Sequence, residues 1–443
     1  MALIPKDLRA NLDSLVRSFG PPARILLAWS GGRDSTVLLQ LMSEWVRDRQ
    51  TELHAVHINH GLHDSAHRWQ AHCEALANEL GIVLLTLPVD VSSSGMGVEA
   101  SARTARYNAL QSLMKAGDWL LTAHHEDDQA ETVLLNLMRG SGVSGLRGTA
   151  LARRLGPGLL VRPLLNISAQ DIDDYARAHN LAWIEDHSNS DQRHDRNYLR
   201  AVVLPGLRER WPGAARSLAR SASHAREAAS LLDQLALLDI AVCGEAGRLS
   251  IASLLRFPAA RQRNLIRGAC HVLALRTPPF KQMKAIQDGF LSARIDSKPL
   301  IAWDGVEVRR YRDHIYLTAA SGPLIANDEA RLSSKSGVSL GRYGGTLSLV
   351  ASGSDGIREA TAASGLQIRF RQGGERLRPS AKQRNRRLKS LLQEAGIVPW
   401  MRDRIPLLYD GSKLVAVGDL WIAAEYQEPR GFSVHWARKP ALF

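Results

Sequence analysis

Between residues 24 and about 200, short apolar runs alternate with longer stretches in which apolar side chains recur every three or four positions. Residues 24–29 (RILLAW), 52–59 (ELHAVHIN), 82–89 (IVLLTLPV) and 119–124 (WLLTAH) read as strands, with helical patterns such as 35–48 and 64–80 between them. Apolar strands separated by helices predict an α/β fold with a parallel sheet covered on both faces. Ligands of such sheets gather at the carboxyl ends of the strands. From about 211 to 295 the pattern turns helical: Leu231, Leu235 and Leu238 with neighbouring alanines form one stripe, and a second lies within 259–273. A hairpin is expected at 306–310 and 314–318, turned at Arg312–Asp313. Residues 319–366, rich in Gly, Ser and Ala, read as a linker with some strand of its own at 346–350 (TLSLV). The organisation predicted is a domain over 1–210, a helical domain over 211–318, this linker, and a small α+β domain over 367–443.

Hydrophobic content of 45% with 23% charged residues is ordinary for a globular chain and excludes wholesale disorder. The net charge of +13 is not ordinary. It points to an anionic partner, most economically nucleic acid, with compositional drift as the alternative, because only 10 of the 57 basic residues are lysine. Three scattered cysteines, Cys73, Cys243 and Cys270, exclude a disulfide scaffold and a cysteine-rich metal site. The first residues lack the apolar core of a signal peptide, and no apolar run approaches the ~18–20 residues of a membrane span. A cytoplasmic location is expected.

The strongest chemical signal is Ser30-Gly31-Gly32-Arg33-Asp34-Ser35, between strand RILLAW and helix TVLLQLM. Two glycines let backbone N–H groups approach an anion, two serines add hydroxyl donors, and the helix dipole points at the same place. A carboxylate at Asp34 would repel bare phosphate, which suggests a bridging Mg²⁺. No G-x-x-x-x-G-K-[ST] occurs, so a Walker-type site is excluded.

A second acidic segment, Thr122-Ala-His-His-Glu-Asp-Asp-Gln-Ala-Glu-Thr132, follows a strand and opens a helix. Asp127 and Glu131, four apart, would share a face and could hold a metal; helix capping by Asp128-x-x-Glu131 is the alternative. Histidines 54, 57, 60 and 63 do not make a zinc site, because a period of three puts them on opposite faces of a strand. His60, just past the strand end, is placed instead at the nucleotide pocket. Glu99, Arg103 and Arg106 occupy adjacent positions on a helix, and Arg139-Gly-Ser-Gly-Val-Ser-Gly-Leu-Arg147-Gly combines a mobile loop with arginines for an anion. Residues 367–404 carry eleven basic residues, among them Arg371, Arg376, Arg384, Arg386, Arg387 and Lys389, against three acidic ones. Such clustering suits a phosphate backbone and argues against uniform drift.

SGGRDS resembles the PP-loop of the ATP pyrophosphatase superfamily, which implies an adenine nucleotide alpha hydrolase-like domain and cleavage of ATP between its α- and β-phosphates. HINHGLH, EASARTARY, TAHHEDDQAET, RGSGVSGLRG, RPLL and IEDHSNSDQRHDRNYLR, with RQGGERLRP and RRLKSLLQEAGIVPWMRDRIPLL near the end, resemble the tRNA(Ile)-lysidine synthase family in order. His63 departs from the arginine usual there. The resemblance implies a ligase that adenylates O2 of the wobble cytidine in the CAU anticodon of tRNA(Ile). The ε-amine of free L-lysine then attacks C2 and displaces AMP, leaving a tRNA that reads AUA and accepts isoleucine. It places ATP on residues 30–35 with Asp34 at the Mg²⁺, and lysine or metal on Asp127, Asp128 and Glu131. Phosphate or the lysine carboxylate falls to Arg103 and Arg106, tRNA to Arg139, Arg200 and the basic stretch. A homodimer is left open. Rivals fare worse: a cytidine thiolase would need paired cysteines, an amidotransferase a supported cysteine nucleophile, and a non-catalytic RNA-binding protein no intact SGGRDS.

Overall fold

Each of the four apolar runs becomes a strand: 52–59 in full, 24–29 and 119–124 shortened at the carboxyl end, and 82–89 shortened by one residue at each end. The computed structural model describes residues 3–59, 66–89, 98–184, 193–291, 299–320, 322, 331–334, 336–341, 344–440 and 442. Strand β1 (Arg24–Ala28) pairs in parallel with β2 (Glu52–Asn59), and β3 (Val83–Pro88) extends the sheet beyond β2. On its other side β1 pairs in parallel with β4 (Trp119–Leu121). Beyond β4 comes a hairpin that the periodicity did not reveal: β5 (Ala152–Leu155) is antiparallel to β6 (Gly158–Val161), and β6 is parallel to β4. The order is β3-β2-β1-β4-β6-β5.

Helices α1 (Leu3–Phe19), α2 (Arg33–Val46), α3 (Ala66–Glu79), α4 (Val98–Ser112), α5 (Glu126–Met138), α6 (Val143–Leu146) and α7 (Ala169–Ala178) intervene. Ile25 and Leu27 of β1 enter one buried cluster with Leu12, Leu38 and Met42, while Leu26 enters another with Val56, Leu110 and Leu160. Burial on both faces is why the strands are apolar at every position rather than at alternate ones. The chain runs from β1 to β2 and β3 on one side, then returns to β4 on the other. The crevice at the carboxyl ends of β1 and β4 is therefore where this topology binds ligands. Residues 30–35 and 122–132 both start there.

Helices α8 (Asp195–Tyr198), α9 (Leu204–Arg210) and α10 (Ala214–Cys243) follow. Leu204 and Ala215 bury against Ala130 of α5, which brings the arginines of α9 towards that helix. The α10 stripe differs from expectation: Ala215, Ala222, Ala229 and Ala236, seven apart, are its buried line, and Leu231 and Leu238 are exposed.

The chain divides into two compact units, Met1–Leu232 and Asp233–Phe443. The second is less helical than predicted. Its first sheet has five strands: β7 (Gly244–Glu245), β8 (Arg248–Ser250), β9 (Leu300–Trp303), β10 (Val306–Tyr311) and β11 (His314–Ala319), ordered β7-β8-β11-β10-β9. β10 and β11 are the expected hairpin.

The segment 319–366 is not a linker where it is described. Strand Thr346–Ala351 pairs over its whole length with Phe432–Ala437, and Arg331–Leu332 pairs with Leu366–Arg369. Leu332, Leu347 and Ile357 are buried with Leu388, Leu392 and Val415 in one carboxyl-terminal core. Its Gly and Ser residues belong to short strands and tight turns whose partners lie far along the chain.

Candidate active site

After Ala28 the chain turns and enters α2 at Arg33. Gly31 has φ +82, and a Cβ there would stand 3.0 Å from Ile184 Cδ1 and 3.1 Å from Cys73 Sγ. Conformation and space both demand glycine. The Gly31 carbonyl accepts the Ile184 N–H at 2.9 Å. Ser30 Oγ accepts the Gly32 N–H at 3.3 Å and lies 3.1 Å from Ser35 Oγ, which donates to Gly32 O at 2.9 Å. Gly32 is the N-cap of α2 and no side chain caps it. The first-turn amides and both hydroxyls thus share one concave turn, the arrangement that receives phosphate.

Arg33, expected to bind nucleotide, donates from Nε to Asp34 Oδ1 at 3.0 Å and from Nη1 to Asp173 Oδ1 of α7 at 3.1 Å. Asp34 Oδ2 lies 3.4 Å from His125 Nε2. Burial opposes the Asp34 charge, but the His125 hydrogen bond and charge, then Arg33, hold its pKa at about 2.

His125 escaped the sequence reading. It is the N-cap of α5, with Nδ1 accepting the Asp127 N–H at 3.2 Å while Asp128 Oδ2 accepts the His125 backbone N–H at 2.9 Å. This is a reciprocal capping box with His and Asp in the two roles. Nε2 carries the hydrogen that faces Asp34 and, at 3.6 Å, Asp128 Oδ2; Nδ1 accepts only in the neutral ring, so protonating His125 strengthens its hold on Asp34 and gives up the Asp127 N–H. Burial pulls the ring pKa down, yet the Asp34 hydrogen bond and the charges of Asp128 and Asp34 carry it up to about 9. The pattern H-x-x-D at the head of a helix was the available signal.

The acids of α5 do not share the duty expected of them. Asp127 Oδ1 accepts from Arg208 of α9 at 2.5 Å, whereas Glu131 Oε1 accepts from Arg200 Nε at 2.7 Å. Arg200 also reaches Asp128 Oδ1 at 3.1 Å. Asp127 and Glu131 are therefore held by different arginines. Among the described residues no group of three His, Cys, Asp or Glu side chains is placed to hold a metal. Glu131 is wholly buried, its Oε2 has no hydrogen-bond partner among the described residues, and burial pushes its pKa up against the pull of Arg200. Arg196 donates to Thr132 at 3.3 Å. Sequence reasoning could not find Arg208 or Asp173, because charge alone does not name a partner a hundred residues away.

His60 lies outside the described residues, as does the side chain of Arg103; Arg106 is half-buried on α4. Arg139 is exposed, 3.9 Å from Asp195. The loop after it is tied to α5 by hydrogen bonds: Asn136 donates to Gly145 O, and Gln129 bonds both the N–H and the C=O of Thr149. His57 is a buried core residue whose Nδ1 lies 3.1 Å from Trp29 O, so the histidine run is structural at that position.

In the carboxyl-terminal stretch the three acids are taken up by two arginines. Arg371 pairs with Asp403 at 2.7 Å and Glu375 at 3.7 Å, and Arg386 pairs with Glu394. Arg376 and Arg378 donate to carbonyls of the loop that they flank. Lys382, Arg384, Arg387 and Lys389 are exposed on or beside the two-stranded hairpin Arg376–Leu377 and Arg386–Arg387.

A glycine–serine turn facing an acidic helix cap across the switch point of a parallel sheet is the organisation of a PP-loop domain, and that family matches residues 5–207. The TilS substrate binding domain matches 249–316 and the TilS substrate C-terminal domain 366–436. The tRNA(Ile)-lysidine synthase of Methylococcus capsulatus is 39% identical over 97% of this chain and 100% of its own. That of Coxiella burnetii is 42% identical over 88% and 87%, and that of Alkalilimnicola ehrlichii 41% over 97% and 96%. The chain belongs to the tRNA(Ile)-lysidine synthase family.

Proposed function

We propose that this protein joins free L-lysine to C2 of the wobble cytidine in the CAU anticodon of tRNA(Ile), at the cost of ATP. In the first step cytidine O2 attacks the α-phosphorus and pyrophosphate leaves. In the second the lysine ε-amine attacks C2, the C2–O2 bond breaks, AMP departs with O2, and the amine gives up its protons. Adenylation makes an inert carbonyl oxygen a leaving group, so the protein chiefly aligns reactants and steadies phosphate charge.

Ser30, Ser35 and the amides of the turn are placed for the phosphates of ATP. Asp34 fits a Mg²⁺ shared with them: it is ionised and a third exposed, and it supplies a hard oxygen donor while phosphates and water complete the shell. When bound, the ion would neutralise phosphate charge. His125 fixes Asp34 relative to α5, and so ties the ATP turn to the acids that meet lysine.

The observation that carries this reading is Glu131 Oε2, a buried acceptor with no partner among the described residues, on the helix whose cap, His125, faces Asp34 of the ATP turn. An ammonium group satisfies such an oxygen, and Asp128 next to it is held below the usual carboxylate range: burial opposes its charge, but His125 and His124 outweigh that. Arg200, which covers Glu131, is half exposed and must swing aside as lysine enters. Arg103 and Arg106 are assigned to AMP phosphate or the lysine carboxylate. Lys382, Arg384, Arg387 and Lys389 are assigned to the tRNA backbone. Pyrophosphate release with ATP, Mg²⁺ and the CAU tRNA tests the first step. It should depend on that tRNA and vanish in Asp34→Ala with tRNA affinity retained; loss of affinity in that variant would remove the ATP turn from this role.

A further inference from the structure

Within the second unit, a pocket of about 220 Å³ is lined by Pro299, Arg309, Arg310, Pro399 and Trp400. Three pieces of backbone build it: Pro299 just before β9, strand β10, and the turn that carries Trp400. β10 contributes both arginines, and the single turn Pro399–Arg402 contributes Pro399 and Trp400, with Tyr311 and Arg402 behind the lining. Tyr316 and Tyr311 meet the Trp400 ring edge-on, at 5.3 and 6.4 Å between centroids, which fixes its orientation. Arg309 Cζ lies 5.3 Å from the same ring.

The charges around this ring are poorly compensated. Arg309 has a carboxylate partner, Glu307, at 2.9 Å. Arg310 instead donates to Leu291 O at 2.7 Å, Arg402 to Ile397 O at 2.9 Å and to the Tyr311 hydroxyl at 3.0 Å, and Arg404 to Gly322 O at 2.8 Å. Arg310 Nε is buried with no acceptor among the described residues. Three partly or fully buried guanidiniums are thus held by neutral oxygens, a costly arrangement that an incoming anion relieves. A fixed indole in a pocket that two prolines also line, with an arginine beside it, is also a platform on which a planar base stacks. Bases inside a duplex have no free face to offer, whereas an unpaired one does.

We infer that this pocket takes an unpaired nucleotide of the RNA substrate, its base against Trp400 and its phosphate on Arg309 and Arg310. The inference rests on the proposed function only in taking RNA as the substrate. It accounts for two features that the tRNA-gripping lysines and arginines leave unexplained, the oriented tryptophan and the unpartnered Arg310 Nε.

The test uses the full-length protein and two RNA duplexes of the same sequence, each annealed from two strands, one blunt and one with a short single-stranded 3′ extension, and reads dissociation constants by fluorescence anisotropy. The wild type should prefer the extended RNA by about tenfold, the scale of one base–aromatic stack. Trp400→Ala should erase the preference and leave blunt-duplex affinity intact, while Trp400→Phe should restore most of it. Should Trp400→Ala unfold, Arg309→Gln serves instead, lowering both the preference and the salt dependence. Equal wild-type affinities, or a folded Trp400→Ala protein with its preference intact, would overturn the inference, and so would blunt-duplex binding that falls in step. Lysine incorporation measured alongside separates the two readings: incorporation without preference sinks the pocket alone, and preference without incorporation sinks the ligase reading alone.

Discussion

Replacing Glu131 by glutamine removes one charge and almost no volume from a side chain that is wholly buried. If Oε2 receives the lysine ammonium, the variant loses a charge-assisted hydrogen bond of about 1.5–3 kcal/mol, a roughly 10- to 150-fold fall in kcat/KM for lysine. Stability should move in the opposite sense or not at all. Burial raises the Glu131 pKa, so the folded state holds its proton more tightly than the unfolded chain does. The ionised form is therefore penalised at neutral pH, and the neutral amide escapes that penalty. Against this stands the lost pairing with Arg200, whose side chain is 46% exposed and keeps Asp128. Such a screened pair is worth about 0–1 kcal/mol. The two effects nearly cancel, and Tm should stay within about 4 °C of wild type. The assay varies lysine at saturating ATP and tRNA, with pyrophosphate release in the absence of lysine as the control. An unchanged lysine KM beside collapsed pyrophosphate release would assign Glu131 to adenylation. A Tm loss of about 10 °C would make it a structural ion-pair residue.

Gly31→Ala puts a side chain at φ +82 against Ile184 and Cys73, so it should cost about 1–3 kcal/mol in denaturant unfolding and abolish tRNA-dependent pyrophosphate release; an active, equally stable variant would refute the geometry of the turn. Neutralising Lys382, Arg384, Arg387 and Lys389 together should lower the slope of log affinity against log salt by about 0.7 to 0.9 for each phosphate that is no longer neutralised. Neutralising Arg371, whose charge Asp403 and Glu375 already meet, should leave that slope unchanged, and equal effects from the two sets would contradict the assignment. Burial pushes the thiols of Cys73 and Cys270 up to about 12 and about 11. At pH 8 their thiolate fractions are about 10⁻⁴ and 10⁻³, so both should react with a disulfide reagent far more slowly in the native protein than in denaturant; fast native labelling of either would show that its burial is wrong.

What the sequence disclosed is what local pattern encodes. β2 spans the residues expected, and β1 and β3 differ by no more than a residue at an end, because continuous apolar runs bounded by polar turns fix them. The ATP turn was legible because two glycines, two serines and an acid sit at one strand–helix junction. What stayed hidden depends on distant partners. Asp34 meets His125, Asp127 meets Arg208, and Arg33 meets Asp173, each through the fold rather than through neighbouring sequence. The acids of α5 read as holders of lysine or a metal, with capping as the alternative, because spacing shows a shared face and says nothing of the arginines paired with them. Residues 319–366 read as a linker with strand only at 346–350, because Gly- and Ser-rich strands are short and the partner of Thr346–Ala351, Phe432–Ala437, lies far along the chain. On α10 the burial of alanines rather than leucines reversed the ordinary weighting by hydrophobicity.

Whether lysine reaches the tRNA at all is read from the nucleoside at the wobble position. The purified protein is incubated with CAU-anticodon tRNA(Ile), ATP, Mg²⁺ and isotopically labelled lysine, and the tRNA is digested and read by mass spectrometry. The wobble cytidine should gain one lysine, carrying the label, in wild type and not in Asp34→Ala. An unmodified cytidine, or one that has gained sulfur or ammonia instead, would contradict the proposed function.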